Sequence, residues 1–131
     1  VLVVESDDIF TPQGAEALRH VIEDLESQDY VRSVLWMDSV PLLNIFGLPE
    51  PILPKSKASP ARFKAAQKKA TDHPLVGGQL LSDDGRTLLL LIKFDWLFVS
   101  SDEDCMSRLR EAAENAASQY PDVKFRFIVT G

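Results

Sequence analysis

Two stretches of the chain repeat apolar residues at the three- and four-residue spacing of a helix that covers a sheet. The first begins at Thr11-Pro12, an N-cap residue followed by a proline at the first helical position. The second begins with a capping box formed by Ser100 and Glu103 and ends at Pro121. The residues expected to face inward are Ala15, Leu18, Ile22 and Leu25 in the first helix and Met106, Leu109, Ala113, Ala116 and Tyr120 in the second.

Runs of β-branched and aliphatic residues predict five strands around these helices. The predicted strands cover residues 1–5, 31–40, 75–82, 86–99 and 124–130. The third and fourth are joined by Asp83-Asp84-Gly85, a hairpin signal. Residues 88–92 are apolar at every position, so we expect their strand to be central and covered on both faces, at least within a larger parent protein.

The segment between the second and third predicted strands combines prolines with bulky apolar residues. Its prolines are Pro41, Pro49, Pro51, Pro54 and Pro60, which exclude a regular strand or one long helix. Ser59-Pro60 opens a shorter helix that runs to about Ala70 and ends before Pro74. Two interpretations of the apolar loop are open, because it either covers the core of this domain or contacts a partner or ligand.

The order of these elements predicts an α+β fold in a single domain over residues 1–131. Two strand–helix units flank a hairpin, which is typical of a ferredoxin-like split βαβ sandwich. Both main helices are expected on one face of a mixed, mostly antiparallel sheet. The proline-rich and basic insert occupies about residues 41–73.

Composition and charge narrow the class of protein. Hydrophobic residues make up 45% and charged residues 26% of the chain, which excludes a disordered protein. The net charge of −6 argues against nucleic acid as a partner, because phosphate binding needs a surplus of Lys and Arg. The charge is uneven, since residues 50–70 hold six basic residues and only one acidic residue.

The residues that most often carry catalysis form no recognisable arrangement in the sequence. His20 and His73 lie far apart, and we expect His20 to be solvated and His73 to be a turn residue. Cys105 is expected to be a small buried side chain rather than a reactive thiolate. The acidic groups at 5–8 and 102–104 suit a polar turn and a helix N-terminus better than a metal site. We therefore predict no enzymatic activity, no metal and no cofactor, and keep an enzyme using Cys105 or His73 as the weakest hypothesis.

Several stretches of the sequence are similar to one family of membrane proteins. Residues 3–14 (VVESDDIFTPQG), 31–34 (VRSV), 74–87 (PLVGGQLLSDDGRT) and 129–131 (VTG) resemble the resistance-nodulation-division (RND) superfamily. The nearest branch holds predicted exporters of hydrophobic compounds related to the mycobacterial large membrane proteins. The resemblance covers nearly the whole chain except residues 41–60. Both ends of the chain are apolar, so we also expect a domain taken from a longer protein.

The resemblance implies a function for such a domain. It would be the first extracytoplasmic, porter-type loop of a proton-driven exporter in a bacterial inner membrane, on the periplasmic side between transmembrane helices one and two. Its partners would be those helices, a second porter domain of the same chain and a hydrophobic or lipid-like substrate, with a homo-oligomer possible. The family's proton-relay carboxylates lie in the membrane helices, so no catalytic residue is carried over. The alternative is a stand-alone ferredoxin-like ligand-binding or regulatory module.

The insert supplies the candidate contact residues. The apolar candidates are expected to form a mobile flap on the substrate route or against a neighbouring domain, and they are Ile45, Phe46, Leu48, Ile52 and Leu53. The basic helix after them presents Lys64, Lys68 and Lys69, which are expected to contact anionic headgroups.

Overall fold

The computed structural model describes residues 1–39, 42–43, 49–55 and 57–130. The helices are α1 (Pro12–Glu26), α2 (Pro60–Asp72) and α3 (Asp102–Ala117). The strands are β1 (Leu2–Glu5), β2 (Val31–Leu35), β3 (Leu42–Leu43), β4 (Pro49–Glu50), β5 (Thr87–Phe94) and β6 (Arg126–Val129). Strands β3 and β4 pair only with each other, as a small antiparallel ribbon within the insert.

The main sheet has four strands in the order β2-β5-β1-β6, and every neighbouring pair is antiparallel. Because β5 is antiparallel to both β1 and β2, those two strands run parallel with β5 between them. Helix α1 connects them, which is the split βαβ arrangement. The predicted ferredoxin-like α+β fold is therefore confirmed, with an antiparallel sheet rather than a mixed one.

The core lies between one face of this sheet and the helices. Leu2, Val4, Leu88 and Leu90 alternate along β1 and β5 and are fully buried. They belong to one cluster with the buried residues of all three helices, and α1 packs against α3. The stripe predicted for α1 is buried as expected. Because α1 packs against α3 and both contribute to the cluster on Leu2 and Leu90, the two main helices share one face of the sheet.

The opposite face of the sheet carries apolar residues with much less cover. Leu35 is exposed, and Val3, Leu89, Leu91 and Ile128 are only partly buried. The prediction that the strand with residues 88–92 is central is confirmed, but among the described residues helices cover only one of its two apolar faces. We call these five residues the outer sheet face.

Helix α3 differs from the prediction in its first turn. Its N-cap is Ser101, whose Oγ accepts a hydrogen bond from the Asp104 amide at 3.1 Å, so the predicted capping box at Ser100 is wrong. Cys105 rather than Met106 faces the core. Residues four apart lie on the same face of a helix, and Cys105 precedes the buried Leu109 by four positions.

The predicted strand at residues 75–82 is also wrong over most of its length. Residues 75–79 form turns, and Gly77 packs so closely on helix α2 that an added Cβ would lie 2.0 Å from the Thr71 carbonyl oxygen. Only the end of the segment pairs with β5, through 2.9 Å bonds from the Leu89 amide to the Leu80 carbonyl and from the Ser82 amide to the Thr87 carbonyl. The hairpin turn is thus correct, but one of its arms is short.

Gly14 provides a test of the packing at the start of α1. A Cβ there would lie 1.5 Å from the backbone oxygen of Asp8. We expect Gly14→Ala to lower the free energy of unfolding by at least about 2 kcal/mol in urea titrations, although alanine is the better helix former. Gly78→Ala is the matched control, because its Cβ would meet nothing within 4 Å and only the positive φ of 75° is unfavourable. Equal losses for the two variants would contradict this account.

Candidate functional site: a cationic cleft beside helix α2

Two side chains from outside the insert hold residues 52–54 in place. Asp38 follows β2 in a short 3₁₀ turn, and its Oδ1 accepts hydrogen bonds from the amides of Ile52 at 2.8 Å and Leu53 at 2.9 Å. Arg19 on α1 donates to the carbonyl oxygens of Leu53 and of Pro54, the latter at 2.8 Å. Arg19 and Asp38 also approach within 3.9 Å of each other. We call this arrangement the Arg19–Asp38 clamp.

The clamp places two of the predicted contact residues in the core. Ile52 and Leu53 are buried and join the main hydrophobic cluster. For these two residues the structure favours a loop that covers the core, so the expectation that they belong to an exposed flap is corrected. The other three apolar candidates, Ile45, Phe46 and Leu48, lie outside the described residues.

Burial also changes the acidity of Asp38. Desolvation raises the pKa of its carboxyl group, because the charged form loses water. The amide of Leu53, the guanidinium of Arg19 and the amide of Ile52 act in the opposite direction but do not cancel the effect. The ionised carboxylate therefore carries a desolvation cost that its hydrogen bonds only partly offset.

A cleft of about 650 Å³ opens between residues 51–55, 57 and 58 on one side and helix α2 on the other. Its apolar lining consists of Pro51, Ile52, Leu53, Pro54, Ala58, Ala65 and Ala66. Its cations are Lys55, Lys57, Arg62 and Lys69, and no aspartate or glutamate of the described chain lines it. This cationic cleft combines positive charge with an apolar wall in a protein whose net charge is −6.

The cleft contains one of the three lysines predicted to contact an anion. Lys69 lines it, whereas Lys64 and Lys68 are exposed on α2 but do not line it. Arg62 and Lys69 are seven residues apart, which places them on the same side of the helix. That spacing is visible in the sequence and could have identified Arg62 and Lys69 as a pair of candidate anion-binding residues.

The other cations of the cleft, Lys55 and Lys57, could not be selected in this way. They precede α2 and face it only because the Arg19–Asp38 clamp holds the preceding residues against the core. Neither Arg19 nor Asp38 was singled out by the sequence, since the two are far apart in the chain and no local motif joins them. The site thus depends on a tertiary contact.

The residues most suited to catalysis lie in unreactive surroundings. Burial raises the pKa of the Cys105 thiol, and the nearby charges of Asp102 and Asp104 raise it further, so the thiolate is disfavoured. His73 accepts a hydrogen bond from the Leu75 amide through Nδ1, as a turn residue would. Within the described ranges, no group of three or more His, Cys, Asp or Glu residues is placed to hold a metal ion.

His20 differs from the prediction of a solvated side chain. It is partly buried, and its ring lies 5.7 Å from that of Tyr120. Its Nε2 is buried and has no hydrogen-bond partner among the described residues. The contact is made with the segment after α3, so no local pattern around His20 indicated it.

Comparison with known proteins leaves the family open. No family model, no curated protein and no solved structure matches the chain. None of the helices in the described part of the chain has the length and apolar character required to cross a bilayer.

The clamp can be tested by removing its carboxylate. We expect Asp38→Ala to lower the free energy of unfolding by about 2–3 kcal/mol, because it leaves the buried amides of Ile52 and Leu53 without an acceptor. Asp38→Asn retains an acceptor oxygen and should lose less. Urea denaturation of both variants measures the difference, and an alanine variant as stable as the asparagine variant would contradict the assigned hydrogen bonds.

The same carboxyl group predicts the sign of a pH effect. Because the pKa of Asp38 is raised on folding, the folded state binds its proton more tightly than the unfolded state does. The stability of the native chain relative to Asp38→Asn should therefore be highest below the ordinary carboxyl pKa of about 3.9 and fall as the pH rises through the raised value. Urea titrations of both proteins between pH 3.5 and 8 measure this, and a relative stability that rises with pH would refute the assignment.

Proposed function

We propose that this chain is the extracytoplasmic domain of an RND-type proton-driven exporter and that its cationic cleft binds anionic, lipid-like substrates. The observation that carries the proposal is the cleft, which Arg62 and Lys69 line together with apolar side chains. Such a site suits an amphiphile, whose charged group pairs with the cations while its hydrocarbon chain covers the apolar wall. The resemblance of residues 3–14 and 74–87 to that superfamily supplies the biological setting.

The pairing of the first and last strands supports an inserted domain. The Val1 amino group donates to the Thr130 carbonyl at 2.8 Å, and the Thr130 amide donates to the Val1 carbonyl at 2.9 Å. Residues 1 and 130 are therefore adjacent at one edge of the fold. A domain with this connectivity fits between two neighbouring transmembrane helices without long linkers.

The outer sheet face supports contact with a further domain. Its five residues are Val3, Leu35, Leu89, Leu91 and Ile128, and a two-layer fold leaves them without an apolar cover from the described chain. Sheets with apolar residues on both faces are normally covered on both. In an exporter, a second porter domain of the same chain or another copy of the protein would pack on this face.

In this function the domain catalyses no covalent reaction. It binds the amphiphile on the periplasmic side of the inner membrane and releases it as the domains move, while the membrane part converts the proton gradient. Cations placed at the surface allow release, because water screens an exposed ion pair and limits its strength.

The cleft predicts a specific pattern of ligand binding. We expect laurate to bind the isolated 131-residue domain in isothermal titration calorimetry, with lauryl maltoside as an uncharged control that binds much more weakly. Arg62→Glu combined with Lys69→Glu should lower laurate affinity at least tenfold. The matched control is Lys64→Glu with Lys68→Glu, which makes the same charge change on α2 outside the cleft and should change affinity less than threefold.

Two results would count against this site. Equal losses of affinity in the two double variants would show that laurate responds only to the overall charge of α2. Absence of laurate binding to the native domain would contradict a site for anionic amphiphiles.

The gene sequence on either side of this segment distinguishes the exporter from the stand-alone alternative. Apolar stretches of about 20 residues on both sides of this segment would support the exporter, and a start codon shortly before Val1 would contradict it.

A further inference from the structure

A second surface lies at the end of β5, where three consecutive large apolar side chains are exposed. Trp96, Leu97 and Phe98 form a 3₁₀ turn and are 62%, 89% and 49% exposed. Isolated exposed apolar residues are ordinary, but three adjacent ones that include two aromatic rings form a patch. We call these three residues the apolar knob.

The knob is held in place by its backbone. The Asp95 carboxylate accepts a hydrogen bond from the Leu97 amide at 3.2 Å. The Phe98 carbonyl accepts one from Arg108 at 2.7 Å, and the Arg108 guanidinium lies 4.3 Å from the centre of the Tyr30 ring. These hydrogen bonds connect the backbone of the knob to Asp95 after β5 and to Arg108 on α3, while the three side chains remain exposed. Their exposure is therefore a property of the folded domain.

The position of the knob follows from the strand register. Leu2 pairs with Leu90, so Val1 stands opposite Leu91, and β5 continues for three more residues to Phe94. At roughly 3.3 Å per residue, the strand extends roughly 10 Å beyond the level of Val1. The knob follows directly, so it lies at the end of the sheet where residues 1 and 130 are, and protrudes beyond them.

We propose that the apolar knob inserts into the interfacial layer of a lipid bilayer. The inference rests on the proposed function, because membrane helices joined to residues 1 and 130 would turn this end of the sheet toward the membrane. Trp is enriched at the level of lipid headgroups, and Phe and Leu are typical of apolar faces that bury at the boundary between headgroups and acyl chains. A preformed exposed turn also loses little conformational freedom on insertion.

The charges around the knob determine which bilayer it suits. Four acidic residues near it in the chain, Asp95, Asp102, Glu103 and Asp104, outnumber the two cations Lys93 and Arg108, whereas the cations of the cleft belong to another segment. Anionic lipids would repel this end of the domain, so a zwitterionic surface is favoured. The knob and the cleft therefore respond oppositely to lipid charge, and the two proposals can fail separately.

Tryptophan fluorescence on tethered protein tests the insertion. The chain has two tryptophans, and Trp36→Phe leaves Trp96 as the only reporter. A histidine tag placed before Val1 attaches the domain to phosphatidylcholine vesicles that contain a nickel-chelating lipid. We expect the Trp96 emission to shift to shorter wavelength and to be quenched at least twofold by lipids brominated near the headgroup end of their chains. Leu97→Asp should abolish both effects.

The controls separate insertion from other causes. Leu75→Asp changes a 58% exposed leucine in the loop after α2 and should leave the quenching unchanged. If Trp36→Phe does not fold, the difference between the native chain and Trp96→Phe reports the same signal. Absence of quenching on tethered vesicles would overturn the proposal. A wavelength shift without lipid that grows with protein concentration would also overturn it and would assign the knob to a contact between copies of the chain.

Discussion

The central strand β5 is the element on which the rest of the fold depends. Its first half pairs with β1 and its second half with β2, so it joins the two halves of the sheet. Its inward residues, among them Leu88 and Leu90, are buried under the helices. A strand that is apolar at every position from 88 to 92 is poorly suited to an edge, and this constraint places it in the middle of the sheet.

The insert extends the core because its backbone polar groups find partners. Residues 52 and 53 can bury their side chains only if their amides and carbonyls are satisfied, since an unpaired buried amide costs about as much as burial of an aliphatic side chain contributes. Asp38 accepts from the amides of both residues, and Arg19 donates to the carbonyls of Leu53 and Pro54. The same clamp fixes residues 52–54, which line the cationic cleft beside α2, and so links the stability of the core to the proposed binding site.

The sequence allowed the α+β class, the two main helices and their packing on one face to be predicted, because periodicity and capping residues are local signals. It failed at residues 75–79, where the close approach of Gly77 to α2 replaces a strand. It also failed at Met106, since the inward stripe of α3 begins at Cys105, which was expected to be buried but was not placed in that stripe. Lys69 was identified as a member of a basic run, but the cleft around it was not. That cleft requires residues 19, 38 and 52–54 to meet, and no pattern along the chain encodes a contact between such distant segments.

The cationic cleft and the apolar knob occupy different parts of the domain. The chain as a whole has an acidic surplus, whereas four of its fourteen basic residues line one cleft that presents apolar side chains beside them. The apolar knob stands apart from that cleft, at the end where the first and last strands meet. A domain anchored at the knob end would rest on neutral lipid and keep the cleft free for a charged amphiphile. Because the two surfaces use different physical forces, salt should weaken binding at the cleft while leaving the contact at the knob nearly unchanged.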